Sequence, residues 1–296
     1  MRYQGSQAAT GGTITSGIGT AAGYTIHTFT NTGGSTFDLN VSLPSRLGAT
    51  LSGNITGTGN LTYNGPGRLA LTGTNTYTGS TAVTAGTLLI NGDNSAATGS
   101  LTVSTGAILG GGGMIGGEII VNNGGTLAPG NSPGLMAGTD GATLEAGSTL
   151  QWELIGNTAD GRGTNYDAVD VSGGTLGVEA NAVSSLVFNG AGSSVDWTNS
   201  FWDSNRSWLV FDNSATPTIA DAAIFATINI SADIKSVALS DVRSEASFGW
   251  SRTGDDVYLN YSAVPEPSTC VLVGAAAIGL LARMTRRRTV RLPIRQ

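Results

Sequence analysis

Asp167 and Asp170, in the run Asn-Tyr-Asp-Ala-Val-Asp-Val, are the closest this sequence comes to a ligand set, since carboxylates this near together can hold Ca²⁺. The glycine-rich nonapeptide loops that bind Ca²⁺ in repeated β-coils do not surround them, so solvated strand-edge acids are the plainer expectation. Glycosidic hydrolysis needs two carboxylates flanking one bond. Between residues 48 and 155 the only charged residues are Arg68, Asp93, Glu118, Asp140, Glu145 and Glu153, and no two acids share an evident register. The single histidine, His27, sits in the alternating run Tyr-Thr-Ile-His-Thr-Phe-Thr with only Asp38 near it, which leaves any Ser or Thr nucleophile without an oriented base. Cys270 lies in an apolar stretch, where a thiol stays protonated and inert. One Cys and one His cannot form an intrachain disulfide or a Cys/His zinc site. The glycine run 110–113 has no Gly-Lys-Ser/Thr after it and reads as a flexible turn rather than a phosphate cradle. The expectation is a chain with no catalytic residues, no metal site and no cofactor.

Composition points the same way. Of 296 residues 45 are Gly and 11% are charged, which suits short strands separated by turns better than a helical enzyme. From Pro265 onward there are six Arg and one acid; the other 264 residues hold the remaining eight cations and 19 acids. An acidic body with one Lys offers no groove for phosphates, so no nucleic-acid partner is expected.

Four regions follow. Residues 1–47 form a β-rich segment without an apolar signal region, and we expect a longer open reading frame upstream, carrying that signal. Residues 48–155 hold 25 of the 45 glycines, with apolar pairs alternating along short runs: Leu69 and Leu71, Leu88 and Ile90, Leu101 and Val103, Ile119 and Val121. Period two sends one face inward. Such strands cannot bury themselves alone, and stacking like on like suggests an all-β, right-handed parallel β-helix, with a sandwich as the alternative. Residues 156–262 continue in bulkier strands that include Trp197, Trp202, Trp208 and Trp250, either an aromatic cap or a carbohydrate-stacking platform. Residues 263–296 form the tail. There, 267–282 are uncharged and span about 24 Å, nearly a bilayer core, and Arg283 can extend the span by snorkelling. Arg286, Arg287 and Arg288 follow, placing the C-terminus in the cytoplasm and the body outside.

The run Gly-Pro-Gly-Arg-Leu-Ala-Leu-Thr-Gly-Thr-Asn-Thr-Tyr-Thr-Gly (65–79), continued to residue 94, resembles the autotransporter-associated β-strand repeat. Leu69, Leu71, Thr72, Gly73, Asn75, Thr76, Tyr77, Thr78, Gly79, Thr81, Val83, Gly86, Thr87 and Leu88 meet its pattern. The resemblance implies a β-helical, passenger-like body without catalytic residues, and it does not extend to an outer-membrane barrel. Val264, Pro265, Glu266, Pro267 and Ser268, followed by the apolar span and the basic cluster, resemble a PEP-CTERM sorting signal. That implies an exported surface or matrix protein held by a C-terminal membrane helix and processed by an exosortase-type membrane transpeptidase. Exopolysaccharide or matrix would be its outside partner. The alternative function is a tethered carbohydrate-binding or polysaccharide-cleaving β-helix.

Overall fold

The computed structural model describes residues 48–213 and 224–263 in full; before residue 48 it describes the backbone of Arg2–Gln4, Ala9–Thr10, Thr13–Ser16, Tyr24–Thr30 and Phe37–Leu39. Alternating apolar residues wind the chain into coils that touch three parallel sheets in turn. The first sheet stacks Phe37–Leu39, Leu61–Tyr63, Thr81–Val83, Leu101–Val103, Ile119–Val121, Ala142–Leu144 and Leu176–Val178. The second stacks Gly48–Leu51, Arg68–Leu71, Thr87–Ile90, Ile108–Gly111, Thr126–Pro129, Thr149–Glu153, Val183–Val187 and Thr227–Ile230. Asp93–Asn94, Met114–Ile115, Leu135–Gly138, Ala168–Val171 and Arg206–Asp212 form the third, which ends in the antiparallel pair Ser247–Thr253 and Asp256–Ser262. Sandwich sheets are antiparallel, whereas these ladders are parallel, so the architecture is a solenoid. Neither described helix, Leu239–Val242 nor the 3₁₀ turn Ser200–Asp203, is long and apolar enough to cross a membrane.

Register turns the sequence alternation into columns. Leu69, Leu88, Leu109, Leu127 and Leu150 are successive partners in the second sheet, and all five are buried. Tyr63, Val83, Val103, Val121, Leu144 and Val178 do the same in the first. Each such side chain contributes roughly 1.5–3 kcal/mol on burial, and the coils above and below, together with the facing sheets of the same core, supply the cover.

The polar residues of the repeat-like segment are as internal as the leucines. Asn75 accepts from Ile55 N at 2.7 Å and donates to Asn94 Oδ1 at 2.7 Å, tying three coils together while itself 1% exposed. The hydroxyls of Tyr77 and Thr81 share a bond of 2.6 Å, which lets a Thr stand in an apolar column. Gly86 has φ +63°, and a Cβ there would run into Gly65 O of the coil below, so both backbone and packing require glycine.

At the far end of the stack the leucines give way to rings. Trp152, Phe188, Trp197, Trp202, Trp208, Phe248 and Tyr261 are buried together, with Trp197 and Trp202 centroids 4.6 Å apart. The hairpin of the third sheet lies beside them, and its antiparallel pairing with Arg206–Asp212 interrupts the parallel stacking.

Candidate functional site

A shallow cleft of about 200 Å³ opens on the outer face of the second sheet. Its floor is small and apolar: Gly110 and Ala128 lie on adjacent strands, beside Leu89. Gly110 and Gly111 belong to the strand Ile108–Gly111, so the expected flexible turn over 110–113 begins instead as sheet. A Cβ on Gly110 would press on Ala128 O and Leu89, so bare backbone is what keeps the floor low.

One wall is the loop after Thr126–Pro129. Gly111 and Gly130 exchange backbone hydrogen bonds of 2.8 and 2.9 Å, pinning the loop's base. Its next two residues reach opposite ends of the cleft. Asn131 Oδ1 accepts from Arg68 Nη2 at 3.3 Å, and Ser132 Oγ donates to Glu153 Oε2 at 2.5 Å. Asn131 Nδ2 also donates to Asn91 Oδ1 at 2.8 Å. Gln151 and Thr87 complete the polar lining.

Two buried acids close the inner end. Glu153 is 4% exposed and Asp167 3% exposed. Asp167 takes a hydrogen bond on each oxygen: Gly134 N donates to Oδ1 at 2.8 Å and Glu153 N to Oδ2 at 3.0 Å. Burial raises the Asp167 carboxyl to about 8, and the charge of Glu153 adds to the rise against those two N–H donors. Asp167 is therefore a clamp tying the loop to the sheet rather than a solvated acid. Its sequence neighbour Asp170 faces away to an ion pair with Arg162 at 2.6 Å. The two aspartates thus do not converge, and among the described residues no three His, Cys, Asp or Glu gather as a metal site. The acids that do come together, Glu153 and Asp167, lie 14 residues apart on either side of a turn between sheets. Sequence reading singled out Asp167 but set it with Asp170, and it missed Glu153 as the partner because no motif spaces the two; what joins them is the fold around Trp152, whose Nε1 donates to Asp167 O at 2.8 Å.

Among the described residues the tryptophans form no exposed platform for a sugar. Trp197, Trp202 and Trp208 are fully buried, and Trp250 is half-buried, packed on Phe225 with its Nε1 donating to Ser184 Oγ at 3.0 Å. His27 lies in a strand described only by its backbone. Val264, Pro265, Glu266, Pro267, Ser268, Cys270, Arg283, Arg286, Arg287 and Arg288 lie outside the described residues, as does the expected span 267–282.

Residues 61–90 match the Passenger-associated-transport-repeat family. That segment covers two strands of the first sheet and two of the second, along with the Tyr77–Thr81 bond. The chain is also similar to the Adhesin BmaC autotransporter of Brucella suis biovar 1 (strain 1330), at 40% identity over 141 residues. The aligned stretch is 45% of this chain and spans 4% of the adhesin's length. The similarity is to an autotransporter repeat protein, on a solenoid body.

Proposed function

We propose that this chain is a non-catalytic, exported surface protein whose solenoid makes structural or adhesive contacts. The observation that carries this reading is the 141-residue similarity to an autotransporter adhesin, in a body of stacked coils. Stacking leaves backbone groups paired and apolar residues inside, so the exposed surface is largely Thr, Ser, Asn and Gly, suited to broad contact rather than to chemistry.

In the same proposal the tail is a PEP-CTERM signal. The Val264–Ser268 core enters a single membrane span, the Arg cluster stays in the cytoplasm, and an exosortase-type transpeptidase processes the exported form at the envelope. Proline at the entry supports this, because it fixes φ and stops the helix from running back into the body. The test is expression in cells with and without that enzyme, followed by surface proteolysis and mass measurement. The expected result is a protease-accessible body whose mass falls when the enzyme is present. An unchanged mass removes the sorting step, and a protected cytosolic body removes export.

The cleft favours a second reading, a carbohydrate-binding coil. Cleavage is not supported by it: both Asp167 oxygens are engaged by backbone N–H groups, which leaves Glu153 without a second free carboxylate.

A further inference from the structure

The loop 130–134 is a narrow-necked flap fastened to the second sheet by acids. Gly130 and Gly134 form the neck: a Cβ on either would strike the Cα of the other, so the chain leaves and returns through one point. Between them Asn131 and Ser132 are exposed. Ser132 has φ +80°, a left-handed conformation that a non-glycine residue holds only under constraint. The constraint is two acids. Ser132 Oγ donates to Glu153 Oε2 at 2.5 Å, and Gly134 N donates to Asp167 Oδ1 at 2.8 Å. Asn131 adds its bonds to Asn91 and Arg68.

Those acids are a poor pair to bury. Both are almost fully enclosed, and Glu153 N donates to Asp167 Oδ2 at 3.0 Å, so the Asp167 carboxyl lies against the Glu153 backbone. Among the described residues no ion pair reaches either acid. On the elements around them Arg162 is held by Asp170, Arg68 bonds Asn131, Asp160 is exposed, and burial raises the Tyr166 hydroxyl. Two uncompensated carboxylates kept from water favour the state in which one retains its proton. We propose that residues 130–134 are a pH-sensitive strap, shut over the second sheet in acid and lifting about the Gly130–Gly134 neck as the medium turns alkaline. Shut, the strap requires a protonated Asp167; lifted, it lets water reach both carboxyls, and Asp167 ionises as an ordinary aspartate. Burial first, and the Glu153 charge after it, place the shut-state carboxyl at about 8. The opening constant therefore rises about tenfold per pH unit from the ordinary carboxyl range up to about 8, and no further above it. Lifting also frees Ser132 from its left-handed backbone. The inference is independent of export and of how the tail is processed.

Hydrogen exchange of the full chain between pH 5 and 9, with each rate divided by the intrinsic rate of its amide, tests it. The opening constant of the strap amides rises about tenfold per pH unit and levels off near pH 8, while Leu88 and Leu109 stay protected throughout. Asp167→Asn, which leaves nothing to titrate at that place, makes strap exchange independent of pH. Glu153→Gln moves the levelling point to lower pH, because the Glu153 charge is one cause of the raised Asp167 carboxyl. Ser132→Ala removes one fastening at an exposed position, so it opens the strap about tenfold or more at every pH and leaves the levelling point in place. That variant carries the test should a buried acid variant fail to fold. Strap exchange without pH dependence, strap exchange only in step with Leu88 and Leu109, or an Asp167→Asn variant with the parent's slope would each overturn it.

Discussion

The middle of the solenoid and its closing end meet the same requirement, an apolar interior with no unpaired backbone, by different means. In the middle, Leu69, Leu88, Leu109, Leu127 and Leu150 repeat one side chain coil after coil, and Leu88, Leu109 and Leu127 each have the identical residue on either side. Toward the closing end Ser184 takes the next place in that column, accepting from the Trp250 indole, and Ile228 of the last strand of the sheet pairs with it. Large rings fill what repetition can no longer supply: Trp202 touches Trp197, Phe201 and Tyr261 with centroids 4.6 to 5.0 Å apart. A repeated column needs only small, similar residues. A terminus needs volume and polar tips, and each of Trp152, Trp202 and Trp208 sends its N–H to an oxygen.

The contrast can be attacked at both ends. Trp202→Ala removes the most connected ring and the indole bond to Asn157 Oδ1, and we expect a loss of about 4 kcal/mol in denaturant unfolding. A loss below about 2 kcal/mol would mean that the ring cluster does not close the stack. Leu109→Ala in the middle should cost about 3 kcal/mol, since both neighbouring leucines face the cavity it leaves. Equal losses at Leu88 and Leu127 would sharpen the picture of interchangeable rungs. Asn75→Ala should cost about 2 kcal/mol by leaving Ile55 N–H and the Asn94 amide unpaired, measured as a shift in the thermal midpoint.

The Asp167 clamp gives a pH signature belonging to neither column. Because its folded carboxyl is raised to about 8 from the usual 3.8, the native chain holds a proton that the unfolded chain releases across that window. Stability from this group is therefore full below about pH 4 and falls as pH rises toward 8, by at most about 1.4 kcal/mol per unit. Asp167→Asn should flatten that slope, as read from unfolding midpoints at a series of pH values. The smallest effect is Tyr77→Phe: losing the hydroxyl bond to Thr81 should cost about 1 kcal/mol and leave the coil geometry unchanged by circular dichroism.

Much of the solenoid was legible because its cause is local. Leu69 and Leu71 face inward for the same reason as Leu88 and Ile90, and turn glycines such as Gly86 mark where the backbone must bend. The repeat segment was also legible as a pattern, although the burial of Asn75 and Tyr77 was not, since polar residues in Gly/Thr-rich text look alike whether inside or out.

The cleft could not be read from residue order. Arg68, Asn131, Ser132, Glu153 and Asp167 share no period, and what joins them is the way a five-residue loop folds back over the second sheet. Sequence alone determined the coil, because alternation and glycine placement act within a few residues. Only tertiary structure decided which acids are buried and which rings are hidden, because desolvation depends on what packs above a residue rather than on what precedes it.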